Sequence, residues 1–171
     1  MNKHLVFFLC ASSAAAILAV SALANAASPP PKLPPGMTPA MAQEMMTLGP
    51  KHPQGIPANA VPVSGCIPTM GYHYAALKDF PFGPIYGWYK GKLLFTEVMI
   101  SKTEFEKGTS WDSLLQPLPG NHIDHVDIWY ERNGHPGYQI PHYDIHAWYV
   151  PHKEHMVYCD NPSGTKPFWM R

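Results

Sequence analysis

The stretch Gln139-Ile140-Pro141-His142-Tyr143-Asp144-Ile145-His146-Ala147-Trp148-Tyr149-Val150 leaves this chain few ways to fold. Its aromatic and β-branched residues suit a strand. Strand side chains alternate between two faces. One face then carries His142, Asp144, His146 and Trp148, and the other Tyr143, Ile145, Ala147 and Tyr149. Two imidazoles flanking a carboxylate, each about 6.5–7 Å from the next, make half of a metal or acid–base site.

A second alternating run, Ile123 to Glu131, places His125, Asp127, Trp129 and Glu131 on one face and Val126, Ile128 and Tyr130 on the other. Arg132-Asn133-Gly134-His135-Pro136-Gly137 is a turn, so the two strands should pair antiparallel. The expected register sets His125 opposite His146, Asp127 opposite Asp144 and Trp129 opposite His142. Opposed side chains sit about 4.5–5.5 Å apart. Asp127 and Asp144 would then repel unless a cation or a shared proton lay between them. The plainer reading is that such alternation marks the solvent face of a sheet.

A hairpin precedes these strands: Ile85 to Tyr89, a turn at Lys90-Gly91-Lys92, then Leu93 to Ile100. Leu93, Phe95, Glu97 and Met99 share a face. A carboxylate among apolar neighbours is costly unless paired, so Glu97 needs a histidine or cation in the interior, or a lysine or arginine at a rim. Gly65 to Tyr74 is a loop fixed by Pro68 and Gly71 that carries Met70 and His73. His142 and His146 are the leading ligand candidates, with His73 and Glu97 completing the shell and His125 facing them. Asp144 would orient a ligand or act as a general base, and Glu97 is the other carboxylate available for catalysis. Imidazole with carboxylate suits a divalent transition metal: zinc, iron(II), nickel, manganese or copper(II). For one ion to bind both His142 and His146 the strand must bend, because i and i+4 lie about 13 Å apart on a flat strand. Ser101 to Leu115 suggests one or two helical turns, with Ser110 as an N-cap. No phosphate loop, nucleophile elbow or zinc-protease helix motif is present.

Residues 1–26 read as a signal peptide, with an apolar run from Leu5 to Val20 and cleavage after Ala26 in Ala24-Asn25-Ala26. An exported chain meets an oxidising compartment, so the remaining Cys66 and Cys159 read first as a disulfide. Closing a loop of about 90 residues contributes on the order of 4 kcal/mol. The competing reading makes Cys66 a thiolate ligand. Residues 27–62 form a proline-rich arm with one short helix, capped by Thr38, opened by Pro39 and stopped by Gly49-Pro50. Met37, Met41, Met45 and Leu48 line one stripe of that helix, either its buried face or a copper(I) surface. Residues 63–171 form the β-rich domain. Charged residues are 14% of the 171 and the formal net charge is zero. No basic face offers itself to nucleic acid, and after signal cleavage no segment is left for a membrane.

Three segments carry a resemblance: Gly65 to His73; Gly83 to Gly87 with Phe95-Thr96-Glu97, Met99 and Ile100; and Pro141 to His146. Together they resemble a family of exported bacterial proteins of unknown function, linked to a thermophile protein under extracytoplasmic sigma-factor control. The resemblance implies a β-rich fold and homo-oligomers, and supplies no reaction. A looser likeness is to cupins, although here the spacing is His-x-Asp-x-His and the glutamate comes first.

The expected architecture is mainly β: a single antiparallel β domain, barrel or sandwich, with short helices and the proline-rich arm. The expected function is a periplasmic or secreted protein that binds a divalent metal through the His/Asp/Glu cluster, or a metal-dependent enzyme, with a small-molecule ligand or further copies of itself as partners. The alternative is a non-catalytic ligand-binding or homo-oligomeric assembly module whose tyrosines and tryptophans line a cup or a subunit interface.

Overall fold

The computed structural model describes Leu33 and residues 38–160. Residues 1–26, read above as a signal peptide, and Met37 lie outside the described residues. Helix α1 (Pro39–Met45) begins where Thr38 Oγ accepts the Met41 amide at 3.2 Å. Six strands follow: β1 (Val61–Pro62), β2 (Tyr72–Ala75), β3 (Ile85–Tyr89), β4 (Lys92–Ser101), β5 (His125–Glu131) and β6 (His142–Trp148). Between β4 and β5 lies α2 (Lys102–Glu106), capped by Ser101 Oγ on the Glu104 amide. It is the only helix of that loop. Ser110 caps none, and Ser113 and Leu115 take positive φ instead. A four-residue helix, α3 (His152–His155), is the last element among the described residues.

The strands form one antiparallel sheet in the order β1-β2-β3-β4-β6-β5. The mainly β, antiparallel expectation is met, but the sheet does not close into a barrel. β1 and β5 are its edges. β1 is two residues long and ends on Pro62, which has no N–H to extend a ladder. It draws the last residues assigned to the arm into the sheet. The β3–β4 turn places Lys90 and Gly91 at φ 43° and 88°, the paired positive values that a two-residue hairpin requires.

The register brings one polar face together. Glu97 pairs with His146, Met99 with Asp144 and Ser101 with His142. Across the outer pair His125 meets Trp148, Asp127 meets His146, Trp129 meets Asp144 and Glu131 meets His142. This differs by two residues from the register expected, so every side chain keeps its face while the partners change. Asp127 therefore faces a histidine and not Asp144, which removes the expected like-charge opposition.

The polar face is the covered one. Glu97, His142, Asp144 and His146 are all buried, with His142 and His146 at 0% exposure. On β5 the usual pattern is inverted: His125, Asp127, Trp129 and Glu131 are half-buried, while Val126, Ile128 and Tyr130 face solvent. The solvent-face reading of the histidines is thus excluded by burial. Around them pack two apolar groups. One is Met70, Leu94, Phe95, Trp148 and Val150, and the other Ala75, Phe80, Ile85 and Met99. Cys66 and Cys159 form a disulfide across 93 positions, so Cys66 is not a free thiolate.

Gly87 positions the site through its missing side chain. It lies opposite both His73 and Phe95. The Phe95 ring occupies the space a Cβ would need, and a Cβ built there would stand 2.1 Å from Phe95 Cε1. The ring then lies edge-on to His73 (centroids 5.3 Å) and to His146 (4.9 Å). Gly87→Ala should therefore lower stability by about 1–3 kcal/mol, the usual range for overpacking a filled interior. Denaturant midpoints of the two proteins check this, and equal midpoints would show that the ring does not hold that position.

Candidate metal centre

Three elements build the first histidine–carboxylate group. β2 supplies His73, β4 Glu97 and β6 His146. His73 Nε2 lies 3.9 Å from Glu97 Oε2, and His146 Nε2 lies 3.3 Å from Glu97 Oε1. The proton on His73 can be placed. Ser64 Oγ donates to the Gly65 carbonyl at 2.8 Å. It therefore accepts from the His73 backbone N–H at 3.1 Å and from His73 Nδ1–H at 3.0 Å. Burial pushes the His73 imidazole down to about 4, against the pull of Glu97. At neutral pH the ring is uncharged and carries its proton on Nδ1, so a bare Nε2 lone pair faces a carboxylate oxygen. Glu97 Oε2 has no hydrogen-bond partner, and neither ring nitrogen of His146 has one. Burial opposes charging His146, but the Glu97 carboxylate outweighs it and raises that imidazole above its ordinary value.

The second group is His135, His142 and Asp144. His142 Nδ1 lies 2.6 Å from the Ile140 carbonyl, and His135 Nδ1 lies 3.0 Å from the Pro136 carbonyl. A carbonyl can only accept, so both rings hold hydrogen on Nδ1. Their Nε2 atoms then converge at 3.1 Å, with Asp144 Oδ1 3.0 Å from one and Oδ2 3.6 Å from the other. Three acceptors this close need a proton or a metal cation between them. In the metal-free protein the cation is a proton. Burial disfavours charge on His135, yet the Asp144 carboxylate and the Pro136 carbonyl push it up to about 9. Burial would raise Asp144, but His135 and His142 hold its carboxyl well below the usual carboxylate range.

Both groups open on one cavity of about 540 Å³, lined by His73, Glu97, His135 and Asp144 together with apolar side chains such as Ile67, Met70, Met99 and Trp129. His146 and Asp144 are two positions apart on β6, which runs through its pairings without a slip. That separation is roughly 6.5–7 Å along the backbone. A carboxylate-bridged pair of ions sits about 3.5–4 Å apart, so these are two neighbouring three-residue groups. His142 and His146 consequently fall in different groups, as a flat strand requires. His125 is outside both, beside Asp127, His152 and His155.

Two members were not legible as site residues. His135 belongs to the β5–β6 turn. Its backbone exchanges hydrogen bonds with Tyr138, at 3.2 and 2.9 Å, around Pro136 and Gly137 (φ 94°). His-Pro-Gly-Tyr is a type II turn sequence, with proline before the glycine at positive φ. It returns His135 toward His142. Ser64, which fixes the His73 tautomer, lies nine positions upstream in an unremarkable loop.

Fold and site together define a single-sheet β protein with two groups of two histidines and one carboxylate on one side of the sheet, all buried except the half-buried His135 of the β5–β6 turn. No family model matches the chain, and no curated protein matches it. Among solved structures it is similar to the hypothetical protein TTHB210 from Thermus thermophilus, at 23% identity and a TM-score of 0.48, over 60% of this chain and 94% of that one.

The second group sets a pH response. His135 is held protonated in the folded state, at about 9 against an ordinary 6.5. Its contribution to the stability of the metal-free protein is full below pH 6.5 and is lost as pH rises through about 9. Melting temperatures of chelator-treated protein should fall across that window, and His135→Gln should flatten the fall. An identical slope in the variant would contradict the assignment.

Proposed function

We propose that this is an exported protein that binds divalent transition-metal ions through His73, Glu97 and His146 and through His135, His142 and Asp144, and presents them to a small molecule in the adjoining cavity. The observation that carries the reading is the bare Nε2 of His73 facing Oε2 of the buried Glu97 carboxylate, an oxygen with no hydrogen-bond partner. A buried carboxylate and a buried lone pair pointed at one another are costly, and a cation relieves both at once. Two imidazoles and one carboxylate match ligand sets used for zinc and for non-haem iron(II), which leave coordination positions open. The backbone carbonyls and Ser64 on the far nitrogens are the outer partners that orient such histidines.

The cavity argues for a ligand beyond the ion. Its volume lies within the range of small-molecule sites, and its apolar wall adjoins the carboxylates. A bound metal would supply Lewis-acid activation of an oxygen donor there. The walls would exclude water and hold an apolar body, while Glu97 and Asp144 keep the polar end in place. Export is supported by the apolar N-terminal run and by the disulfide, which suits an oxidising compartment. No helix among the described residues is long and apolar enough to cross a membrane.

Zinc titration of metal-stripped protein against a chromophoric chelator tests this. Glu97→Gln keeps size and shape, and should weaken one equivalent by about 100-fold, the upper end of what a disturbed metal shell loses. Ser64→Ala should weaken the same equivalent by about tenfold, as loss of an outer partner does. Parent-like binding by Glu97→Gln would remove Glu97 from the ligand set and with it this reading of the cavity.

A second reading, assembly of several copies, is favoured by one observation. The outer face of edge strand β5 shows Val126, Ile128 and Tyr130 to solvent, with Ile128 61% exposed. Contiguous apolar surface of this kind marks interaction sites. Sedimentation should then show an oligomer that Ile128→Asp dissociates, and a monomeric parent would refute it.

A further inference from the structure

The sheet carries a third cluster that the cavity does not use. His125 and Asp127 project from β5, and His152 and His155 from α3. One ligand atom from each lies within 4.8 Å of the others. We propose that these four residues form a separate divalent transition-metal site that clasps α3 onto edge strand β5. The site is independent of the cavity reading.

Three buried atoms aim into the cluster without partners: His125 Nε2, Asp127 Oδ2 and His155 Nε2. His155 is fully buried, and its Nδ1–H donates to the Thr69 carbonyl at 3.0 Å, which leaves the Nε2 lone pair inward. His125 Nδ1 meets Asp124 Oδ1 at 2.8 Å, so its Nε2 also points inward, 3.8 Å from Asp127 Oδ2. A carboxylate or a carbonyl on the far nitrogen is the arrangement that fixes a metal-ligating imidazole. His152 is exposed on its turn, with its ring 5.6 Å from that of His125 and 4.9 Å from that of His155. It is the exposed fourth member of the cluster. Three imidazoles and one carboxylate suit zinc, nickel or copper(II).

The location explains what a metal would do. α3 has four residues and no side-chain cap, too short to persist by its own hydrogen bonds. It is held by the stacking of His155 on Trp148 at 3.7 Å and by the Thr69 amide on the Tyr158 carbonyl. A metal shared by both elements would tie α3 to β5. The Trp148 ring stacks on His155 at 3.7 Å and lies 5.7 Å from the His146 ring, and Asp127 faces His146 across the β5–β6 ladder, so the cluster is a neighbour of the first cavity group that shares no ligand with it.

The test titrates Zn²⁺ into metal-stripped, disulfide-intact protein and into His152→Ala, Asp127→Asn and Glu97→Gln, with near-ultraviolet circular dichroism as the check on folding. His152 is exposed, so His152→Ala keeps the fold even where Asp127→Asn does not. Expected is one Zn²⁺ equivalent weakened at least about tenfold by His152→Ala and by Asp127→Asn, and untouched by Glu97→Gln. If Glu97→Gln changes nothing while His152→Ala removes an equivalent, the clasp stands and the cavity reading fails. The clasp is overturned if the His152→Ala titration superimposes on the parent's, or if every equivalent bound disappears with Glu97→Gln.

Discussion

Glu97 is the constraint on which the rest depends. Its carboxylate is 2% exposed at the centre of the sheet, with one oxygen 3.3 Å from His146 and the other 3.9 Å from a His73 nitrogen that carries no proton. Removing one partner of a buried charge pair costs several kcal/mol, because the remaining charge is left uncompensated. The surrounding structure holds this arrangement in place. Ser64 fixes the His73 ring, Gly87 clears the space for Phe95, and Phe95 packs edge-on between the two imidazoles. An interior this rich in acceptors and this poor in donors is stabilised by a cation, whether a proton or a metal.

The fold delivers these groups by register. β4 and β6 pair continuously from Phe95 with Trp148 to Ser101 with His142, and β5 extends the same polar face outward. The disulfide joins the loop before His73 to the segment after α3, and so closes the chain around the cavity wall at Cys66. The apolar outer face of β5 is the consequence of turning the histidines inward. A strand can bury only one of its two faces against this side of the sheet, and here the titratable face is the buried one.

Much of this was legible in the sequence because strand alternation is a strong constraint. The β3–β4 hairpin, the Thr38 cap, the shared faces of His142, Asp144 and His146 and of His125 and Asp127, and the place of Glu97 on the face of Phe95 and Met99 all follow from period two and turn chemistry, whereas burial decides that Glu97 is interior and not at a rim. What failed was long-range. A two-residue change of register leaves every face intact, so alternation cannot detect it, and the partners of His125 and Asp127 came out differently. Barrel closure was likewise invisible, because it depends on an edge as short as Val61–Pro62. His135 went unread because its role arises from a Pro136-Gly137 turn that aims it back. His152 and His155 went unread because a four-residue helix has no periodicity to show.

The central claim is that His73, Glu97 and His146 share a metal ion. Anomalous diffraction at the zinc edge, from crystals of metal-stripped protein soaked in Zn²⁺, tests it most directly. The account predicts a peak between His73 Nε2, the Glu97 carboxylate and His146 Nε2, and none at that position in Glu97→Gln. No anomalous density there in the parent, at a Zn²⁺ concentration that fills other sites, would contradict it.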